Sequence, residues 1–571
     1  TRKMVYFWIG VQLMKLAGFS SIVIALLCVA SGVSYSEPSS YLPVSHRAYD
    51  FLERMEHKYF VNGAFLGTKP ACRSEVARLV FGVAKEKKIL TAVEKEELEC
   101  LIDEFKDDFL PRKSLVWDDL GPVTRLPGFL KVLLYRNRRN MYSTRGDNYS
   151  LYFDPVIVRK ATLGTLHNSS KKDNVFLSAN GFITRGTIGN HIGFHIDVRD
   201  SKEWGSRSYP EKFVTTMPGR GFTVFKGDHA EFDETYAHVN YSNGPFVVSY
   251  VRDRNVWGRG RHGTLFLSNY GSPYDMIRIE TSFWRLKFIF FASEIEQYPP
   301  LAKFYYNNPP DTPSDSVAVK KHLSGHRLEI NITDRFTLGF HETVVYGGRW
   351  DLSYLNPVMF LKGGEHMNGD HDNAAMGMDF RLYIHRGHSL YGELLIDDIT
   401  TKKLGTDWYG NKLGYQLGTY LVEPFGLYDV DTRIEYTRIN PWVYTHRLPI
   451  NTYTHYGDVM GYSAGPNSDE LFMEIRKRFT RRLHAALSFA RNRHGENTDS
   501  KNVGGNPLEG FKKGDSKKAR FLDGTLEETN TFDIALTYEL LWELFLKFGY
   551  TYQEYNGDGI NIVRFSLGLN E

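Results

Sequence analysis

Residues 542–553 read WELFLKFGYTYQ, and apolar side chains recur at every second position of this stretch. Successive side chains of an extended strand point to opposite faces. One face of this segment therefore carries Trp542, Leu544, Leu546, Phe548, Tyr550 and Tyr552, and the other is mostly polar or small. Aromatic rings on the apolar face are typical of strands that contact lipid, and a polar opposite face suits a barrel interior. The segment predicts a transmembrane β-strand.

The same two-residue period returns in 284–290, 336–346 and 532–540. Aromatic residues make up 14% of the chain, yet its mean hydropathy is −0.38, which fits alternating membrane strands better than long apolar helices. Short turns alternate with long polar connections, which include 347–373, 443–467 and 493–528. We predict an all-β transmembrane barrel of about eighteen antiparallel strands over 149–571, multi-pass in the outer membrane, with short turns in the periplasm and long loops outside.

The N-terminal part of the chain has a different organisation. Residues 15–36 contain a lysine, an apolar run and then small residues, so we assign 1–36 to a secretory signal peptide. The alternative is a retained membrane anchor. Residues 37–112 show three apolar stripes of helical period, and 91–94 form a Thr-x-x-Glu capping box. We expect a small periplasmic α-helical bundle there, able to contact a periplasmic partner, followed by a connector over 113–148.

The cysteine count bears on disulfide formation, and the net charge bears on nucleic-acid binding. Cys72 and Cys100 remain once the signal peptide is removed. In an oxidising compartment they form either a disulfide or two buried thiols, and the sequence leaves both open. The charge is nearly balanced, with 70 Lys+Arg against 67 Asp+Glu, which gives no indication of nucleic-acid binding. No cofactor is predicted.

Residues 363–373 read GGEHMNGDHDN and carry Glu365, His366, Asp370, His371 and Asp372. These side chains are of the kind that metal sites use. However, three glycines loosen the backbone, and the spacing does not follow a helical i, i+4 pattern, whereas catalytic ligands need rigid support. We predict neither a catalytic group nor a transition metal here, but a hydrogen-bonded loop that closes the extracellular mouth. A Ca²⁺-stabilised loop is the alternative.

Residues 461–465, GYSAG, match the G-x-S-x-G pattern of a nucleophilic serine. That motif requires a buried strand before Ser463 and a helix after it. Loop-forming residues flank it on both sides instead. An outer-membrane hydrolase is therefore only the third hypothesis for function.

Five segments carry a more specific signal: 180–200 (NGFITRGTIGNHIGFHIDVRD), 252–273 (RDRNVWGRGRHGTLFLSNYGSP), 337–347 (TLGFHETVVYG), 354–357 (YLNP) and 369–373 (GDHDN). Together they resemble the Wzi family of capsule-assembly outer-membrane proteins, and the resemblance extends from about residue 45 to the end. Arg252, Asp253, Trp257, Gly258 and Gly260 match the family signature, without an assigned role. The resemblance implies an eighteen-stranded barrel with an occluded lumen and a periplasmic helical bundle. It also implies a surface lectin, not an enzyme, that attaches capsular polysaccharide or exopolysaccharide to the outer membrane.

Sugars are bound by aromatic faces and planar polar groups, so loop residues of both kinds are candidate contacts. The candidates are Trp257, Trp350, Asp351, Glu365, Asp370, Asp407, Trp408, Tyr409, Tyr453 and Tyr456. The competing interpretation places the rings in the aromatic girdle that contacts outer-membrane lipid. The second hypothesis for function is a general or selective porin.

Overall fold

The computed structural model describes residues 38–59, 64–109, 139–166, 171–209, 211–214, 221–297, 304–305, 316–317 and 320–571. The predicted signal peptide (1–36) and most of the predicted connector (113–148) lie outside these residues. No helix in the described ranges has both the length and the apolar character needed to cross a bilayer.

Eighteen antiparallel strands form a closed barrel, as predicted. Each strand pairs with its neighbours in sequence, and the last pairs with the first to close the sheet. The strands are β1 (Tyr149–Leu166), β2 (Lys172–Ile188), β3 (Ile192–Gly205), β4 (His229–Asn243), β5 (Phe246–Asp253), β6 (Tyr274–Phe283), β7 (Leu286–Ile295), β8 (Lys321–Thr333), β9 (Phe336–Gly347), β10 (Asn373–His385), β11 (His388–Asp398), β12 (Lys412–Val422), β13 (Val430–Ile439), β14 (Ser468–Arg478), β15 (Leu483–Glu496), β16 (Thr525–Leu541), β17 (Leu544–Tyr555) and β18 (Asp558–Leu569).

The alternating pattern follows the two faces of the wall. On β16, Phe532, Ile534 and Leu536 are exposed on the outer face, as lipid-facing side chains are. One detail of the quoted segment differs from expectation. Trp542 lies in the β16–β17 turn and not on the apolar face, and the guanidinium groups of Arg47 and Arg139 lie 4.6 and 4.3 Å from its ring. These cation–π contacts hold the ring against the helical bundle.

Turn length divides the barrel into two ends. At the short-turn end, the connections are 189–191, 244–245, 284–285, 334–335, 386–387, 423–429, 479–482 and 542–543. At the other end lie all the long connections, including 254–273, 348–372, 440–467 and 497–524, so we call it the long-loop end.

Three helices form the N-terminal bundle: α1 (Arg47–Tyr59), α2 (Arg73–Val83) and α3 (Ala92–Phe109). Their apolar stripes meet in one core that contains Leu52, Val80 and Leu101. The predicted capping box opens α3: the Glu94 N–H donates to Thr91 Oγ1 at 3.2 Å, and the Thr91 N–H donates to Glu94 Oε2 at 2.9 Å. These bonds satisfy two amides that the first turn would otherwise leave unpaired.

The bundle packs into the short-turn end of the barrel through α1. The Gly387 N–H, in a short turn, donates to the His57 carbonyl oxygen at 2.9 Å. The His57 Nε2 lies 2.5 Å from Ser389 Oγ on the inner face of β11. Tyr41, just before α1, is fully buried and bonds Ser249 of β5 at 3.1 Å. The bundle therefore fills part of the lumen.

A loop from the opposite end folds inward to meet the bundle. Residues 256–257 of the connection 254–273 pair antiparallel with residues 68–69 of the bundle. Farther along the same connection, Leu265 and Phe266 are fully buried. Gly258 has φ +120°, and a Cβ there would lie 1.8 Å from a Glu393 oxygen, so only glycine fits. The family signature is therefore the segment that joins loop and bundle inside the barrel.

Ion pairs connect α1 to this inward loop and to the wall. The Glu56 carboxylate, 2% exposed, pairs with Arg259 at 3.1 Å and also with Arg381. Glu53 pairs with Arg433 at 2.8 Å. The next residue, Arg54, pairs with Glu94 of α3, at 2.9 Å, and with Asp431 of β13. Removing one partner of such a buried pair leaves an uncompensated charge, which is costly.

Of the two alternatives left open for Cys72 and Cys100, a disulfide or two thiols, the structure has two free thiols. Cys72 precedes α2 and packs against Tyr41 and Trp257 in the barrel core. Cys100 lies on α3, where the nearby charges are those of Arg481 and Arg47. The two thiols thus belong to different surroundings, and α2 and α3 are held together by apolar packing and by the ion pairs of Arg73 with Glu104 and Asp108.

We predict that Trp257→Ala destabilises the protein by about 3–5 kcal/mol, because a fully buried indole leaves a large cavity. Trp284→Ala is the matched control, because Trp284 lies in a short turn and is 78% exposed. Calorimetric unfolding of the full chain in detergent should show a lower melting temperature for the first variant only. Equal melting temperatures would contradict the packing described for the inward loop.

We also predict that acid loosens the bundle. Burial lowers the pKa of His57 to about 3, against the opposing effect of Glu53, and Arg381 and Arg433 of the wall lower it further. A released His57 would titrate near 6.5. Between about pH 6.5 and about pH 3, His57 binds a proton in the released state but not in the docked state. The docking free energy therefore weakens as pH falls, by about 2 kcal/mol at pH 5 relative to neutral pH. The pKa of Glu53 is lowered to about 2 in the docked state, so protonation of Glu53 weakens docking further at more acid pH.

The buried Cys72 thiol reports this release through its rate of reaction with a pyridyl disulfide. The Cys72 and Cys100 rates both fall with the thiolate fraction as pH falls, so the ratio of the Cys72 rate to the Cys100 rate is the readout, and it should rise from about pH 7 to about pH 5. His57→Gln, which stays neutral, should shift the rise to lower pH. A pH-independent ratio, or an unshifted profile in His57→Gln, would refute the prediction.

Candidate functional site

The loop 348–372 at the long-loop end is more ordered than its glycines suggest. Residues Leu361–Met367 form a short helix, α4, and the buried Glu365 lies on it. Asp370 has φ +59° and is largely exposed. The prediction of an irregular loop without helical spacing was therefore wrong at this point: His366 and Asp370 are an i, i+4 pair, 3.9 Å apart.

Hydrogen bonds fix this loop to the connection 440–467. The Tyr354 hydroxyl donates to Asp372 Oδ2 at 2.6 Å. The Asn451 amide donates to the His371 carbonyl oxygen at 2.9 Å and to Asp372 Oδ1 at 3.4 Å. The Arg447 guanidinium donates to the Asp370 carbonyl oxygen. Burial raises the pKa of Asp372, and the Tyr354 bond opposes this. Asp372 is therefore a structural acceptor in the loop.

Glu365, His366 and Asp370 bring potential ligand atoms within 4.8 Å of one another. However, the Lys362 ammonium already lies 2.6 Å from Glu365 Oε2. Burial raises the pKa of Glu365, whereas its hydrogen bond to Lys362 lowers it. A lysine thus neutralises the one buried carboxylate of the group, and the arrangement does not favour a divalent ion.

The candidate sugar contacts fall into two groups. Trp257 and Tyr453 are buried in the barrel core, at 0% and 2% exposure, so neither can be a surface contact as predicted. Tyr453 packs with Tyr444, with ring centres 5.6 Å apart. Their burial follows from inward folding of the connections that carry them, which sequence periodicity does not reveal.

The other candidates lie at the long-loop surface. Trp350 is 41% exposed with its ring 4.4 Å from that of His322, and Tyr456 is half-buried beside His455. Asp351 Oδ1 accepts the Ser353 N–H at 2.8 Å and so caps a short 3₁₀ helix. Asp407 is exposed. The structure does not bring these residues together with Glu365 and Asp370 into one cluster.

A cluster of four rings fastens three connections together at this end. It contains Trp408 and Tyr409 of 399–411, Trp442 of 440–467, and Phe511 of 497–524. Tyr409 stacks on Phe511 at 4.0 Å, and Trp442 meets Phe511 edge-on at 5.4 Å. The Lys403 ammonium lies over the Trp408 ring, 2.8 Å from its centre. Because partners cover these faces, the cluster is chiefly structural.

A cleft of about 640 Å³ enters the barrel from the long-loop end beside the inward loop. Its rim includes Tyr270 and Ser463. One wall is the inner face of β15 and β16, where Ser488 pairs in register with Asp533, and Asn492 with Thr529. Its floor includes Arg261 and Glu474. Arg261 bonds both Glu474 and Asp50 of α1, each at 3.2 Å, so this ionic layer separates the cleft from the bundle.

The β15–β16 wall offers hydrogen-bonding groups to a ligand. In the described part of the chain, no side-chain bond occupies the hydroxyls of Ser488, Thr529 and Thr531 or the amide of Asn492. The sequence does not distinguish these four residues, because inward polar residues at alternate positions look alike in any barrel strand. The available signal was the small size of neighbouring inward residues, such as Ala490.

Ser463 lies at the cleft rim beside His262. His262 is bonded to Glu470, but no hydrogen bond joins Ser463 to His262 among the described residues. The chain after Ser463 turns into strand β14 and not into a helix. The strand-to-helix turn that presents a nucleophilic serine is therefore missing at this position.

We predict that Asp372→Ala loosens the loop 348–372, whereas Asp370→Asn, which tolerates the positive φ of that position, does not. The first removes an acceptor shared by Tyr354 and Asn451 and should cost about 1–3 kcal/mol of local stability. The second removes an exposed carboxylate. Limited proteolysis of the full chain should cut the loop faster in Asp372→Ala only. Equal cleavage rates in the two variants would show that Asp372 does not hold the loop.

Comparison with known proteins bears on the family and the fold of this chain. The profile of the family "Capsule assembly protein Wzi" matches residues 136–559, more than half of the chain. None of the curated proteins matches. Among solved structures, Wzi of Escherichia coli, an outer-membrane protein involved in group 1 capsule assembly and a carbohydrate-binding β-barrel, is 12% identical. That match covers 92% of this chain and 99% of that one, with a TM-score of 0.53, and supports the fold.

Two further structures match less closely. OccAB4 of Acinetobacter baumannii is 10% identical, with 73% of this chain and 97% of that one covered and a TM-score of 0.41. OccD3 of Pseudomonas aeruginosa is 10% identical, with 73% and 90% covered and a TM-score of 0.39. The closed barrel and the family match identify an outer-membrane protein. This chain belongs to the Wzi family of capsule assembly proteins.

Proposed function

We propose that this protein attaches capsular polysaccharide or exopolysaccharide to the cell surface, without catalysing a reaction. The observation that carries the proposal is the cleft of about 640 Å³ at the long-loop end, whose wall presents uncommitted hydroxyl and amide groups. Such groups suit the vicinal hydroxyls of a sugar. The carbohydrate-binding barrel of Escherichia coli shares this fold and family, which supports the same class of ligand here.

The orientation that we infer follows from turn length. Bacterial outer-membrane barrels keep short turns in the periplasm and long loops outside. The cleft and the ordered loops then face the exterior, where polysaccharide is retained. The helical bundle faces the periplasm, where it is available to a partner in that compartment.

A porin role is less well supported by the geometry. The bundle enters one end of the lumen, and the inward loop crosses it from the other. The two are joined by backbone pairing and by buried ion pairs such as Glu56–Arg259. A solute path would have to pass the layer of Arg261, Glu474 and Asp50 below the cleft.

Filling the cleft should abolish attachment. We predict that Ser488→Trp weakens glycan binding about tenfold or more, equal to about 1.4 kcal/mol, because an indole would occupy the cavity. Leu487→Trp is the matched control, because Leu487 is the adjacent residue of β15, 52% exposed on the outer face of the barrel.

The readout is the amount of polysaccharide retained on cells of the source bacterium that lack the chromosomal gene and carry each variant. Wild type and Leu487→Trp should restore retention, and Ser488→Trp should not, at equal levels of inserted protein. Full retention in cells without the gene would refute the proposed function. Full restoration by Ser488→Trp would place the binding site elsewhere on the barrel.

A further inference from the structure

A strongly basic segment lies at the long-loop end, against the connection 399–411. Residues 511–520 read FKKGDSKKAR, with five basic side chains and one acidic. Lys512, Lys513, Lys517 and Lys518 are exposed, as are Arg520 and the neighbouring Lys402 of 399–411. We call these six side chains the basic rim.

Ion pairs do not neutralise the basic rim in the described residues, although Arg520 lies close enough to Asp523 to lower the pKa of that carboxyl. None of its six side chains makes an ion pair or a side-chain hydrogen bond in the described part of the chain. The one acid of the segment, Asp515, accepts the Lys512 backbone N–H at 2.7 Å and so stabilises the turn. By contrast, nearby Lys501 pairs with Asp523 at 2.6 Å. Grouped unpaired cations repel one another and attract polyanions.

Backbone and ring contacts hold the basic rim in place. The Tyr409 N–H donates to the Lys517 carbonyl oxygen at 3.2 Å, and the Ala519 N–H donates to that of Asp407 at 2.7 Å. Phe511, at the start of the segment, stacks on Tyr409. The lysines therefore extend from a fixed platform, which reduces the ordering cost of binding a ligand.

The basic rim and the cleft lie at the same end of the barrel. The connection 497–524 begins and ends at β15 and β16, whose inner faces form the cleft wall, and its basic segment reaches across to the connection 399–411. A polymer long enough to extend from the cleft over the long-loop surface can therefore contact the lysines. Exposed cations raise the local concentration of an anionic ligand and speed its association.

We propose that the basic rim binds the anionic groups of an acidic polysaccharide, so that this protein selects polymers with carboxylate, phosphate or sulfate substituents over neutral ones. The inference rests on the proposed function and specifies its substrate class. The cleft would hold sugar hydroxyls, and the basic rim would hold the charges of the adjoining chain.

The test measures binding of polygalacturonate, an acidic polymer, and of neutral dextran to the full chain in lipopolysaccharide-free nanodiscs. One variant replaces Lys512, Lys513, Lys517 and Lys518 with Gln, and the matched control replaces the same four with Arg. Wild type and the Arg variant should bind polygalacturonate at least about tenfold more tightly than dextran at about 50 mM salt. This preference should shrink at about 500 mM salt, because salt screens exposed charges. The Gln variant should lose the preference for polygalacturonate over dextran.

Three results would overturn the proposal: no binding of polygalacturonate to wild type, no preference over dextran, or an unchanged preference in the Gln variant. Charge-dependent binding of lipopolysaccharide micelles without binding of polygalacturonate would assign the basic rim to lipid and also overturn it. Failure here is distinguishable from failure of the proposed function. If only the charge preference fails, cells that lack the gene still lose polysaccharide and the wild-type gene restores retention. If the proposed function fails, cells that lack the gene retain their polysaccharide.

Discussion

The docking of α1 against the arginines of the lumen is the contact on which the rest of the structure depends. The inner wall and the inward loop present Arg259, Arg381 and Arg433, and α1 brings Glu53 and Glu56 to them. Neither side could be buried alone, because an isolated charge in a dry interior is costly. The pairs add specificity more than net stability, since they fix which face of α1 meets the wall and where the inward loop must lie.

This arrangement leaves the long-loop end as the available binding surface. Once bundle and inward loop occupy the centre, a cleft remains at this end along β15 and β16, closed below by Arg261 and Glu474. Hydrogen bonds around Asp372 and the ring cluster around Phe511 hold the surrounding loops. A fixed outer surface suits a protein that holds a polymer, because little conformational freedom is lost on binding.

Sequence alternation predicted the barrel well, because each membrane strand must expose apolar side chains every second residue. The capping box at Thr91 and Glu94 was also readable, because the motif is local. What the sequence could not reveal was which connections fold inward. Trp257 and Tyr453 looked like surface rings for that reason, and the sequence could not decide between a disulfide and a buried thiol for Cys72, which packs in the barrel core. These placements depend on contacts between residues far apart in the chain.

We propose that the ionic docking of α1 seals the lumen, and planar-bilayer conductance of the purified full chain tests this most directly. The structure predicts no steady open channels at neutral pH, because backbone pairing at residues 68–69 and the Glu56 ion pairs hold the bundle and the inward loop together across the lumen. Stable ohmic channels under the same conditions would contradict the account and favour a porin.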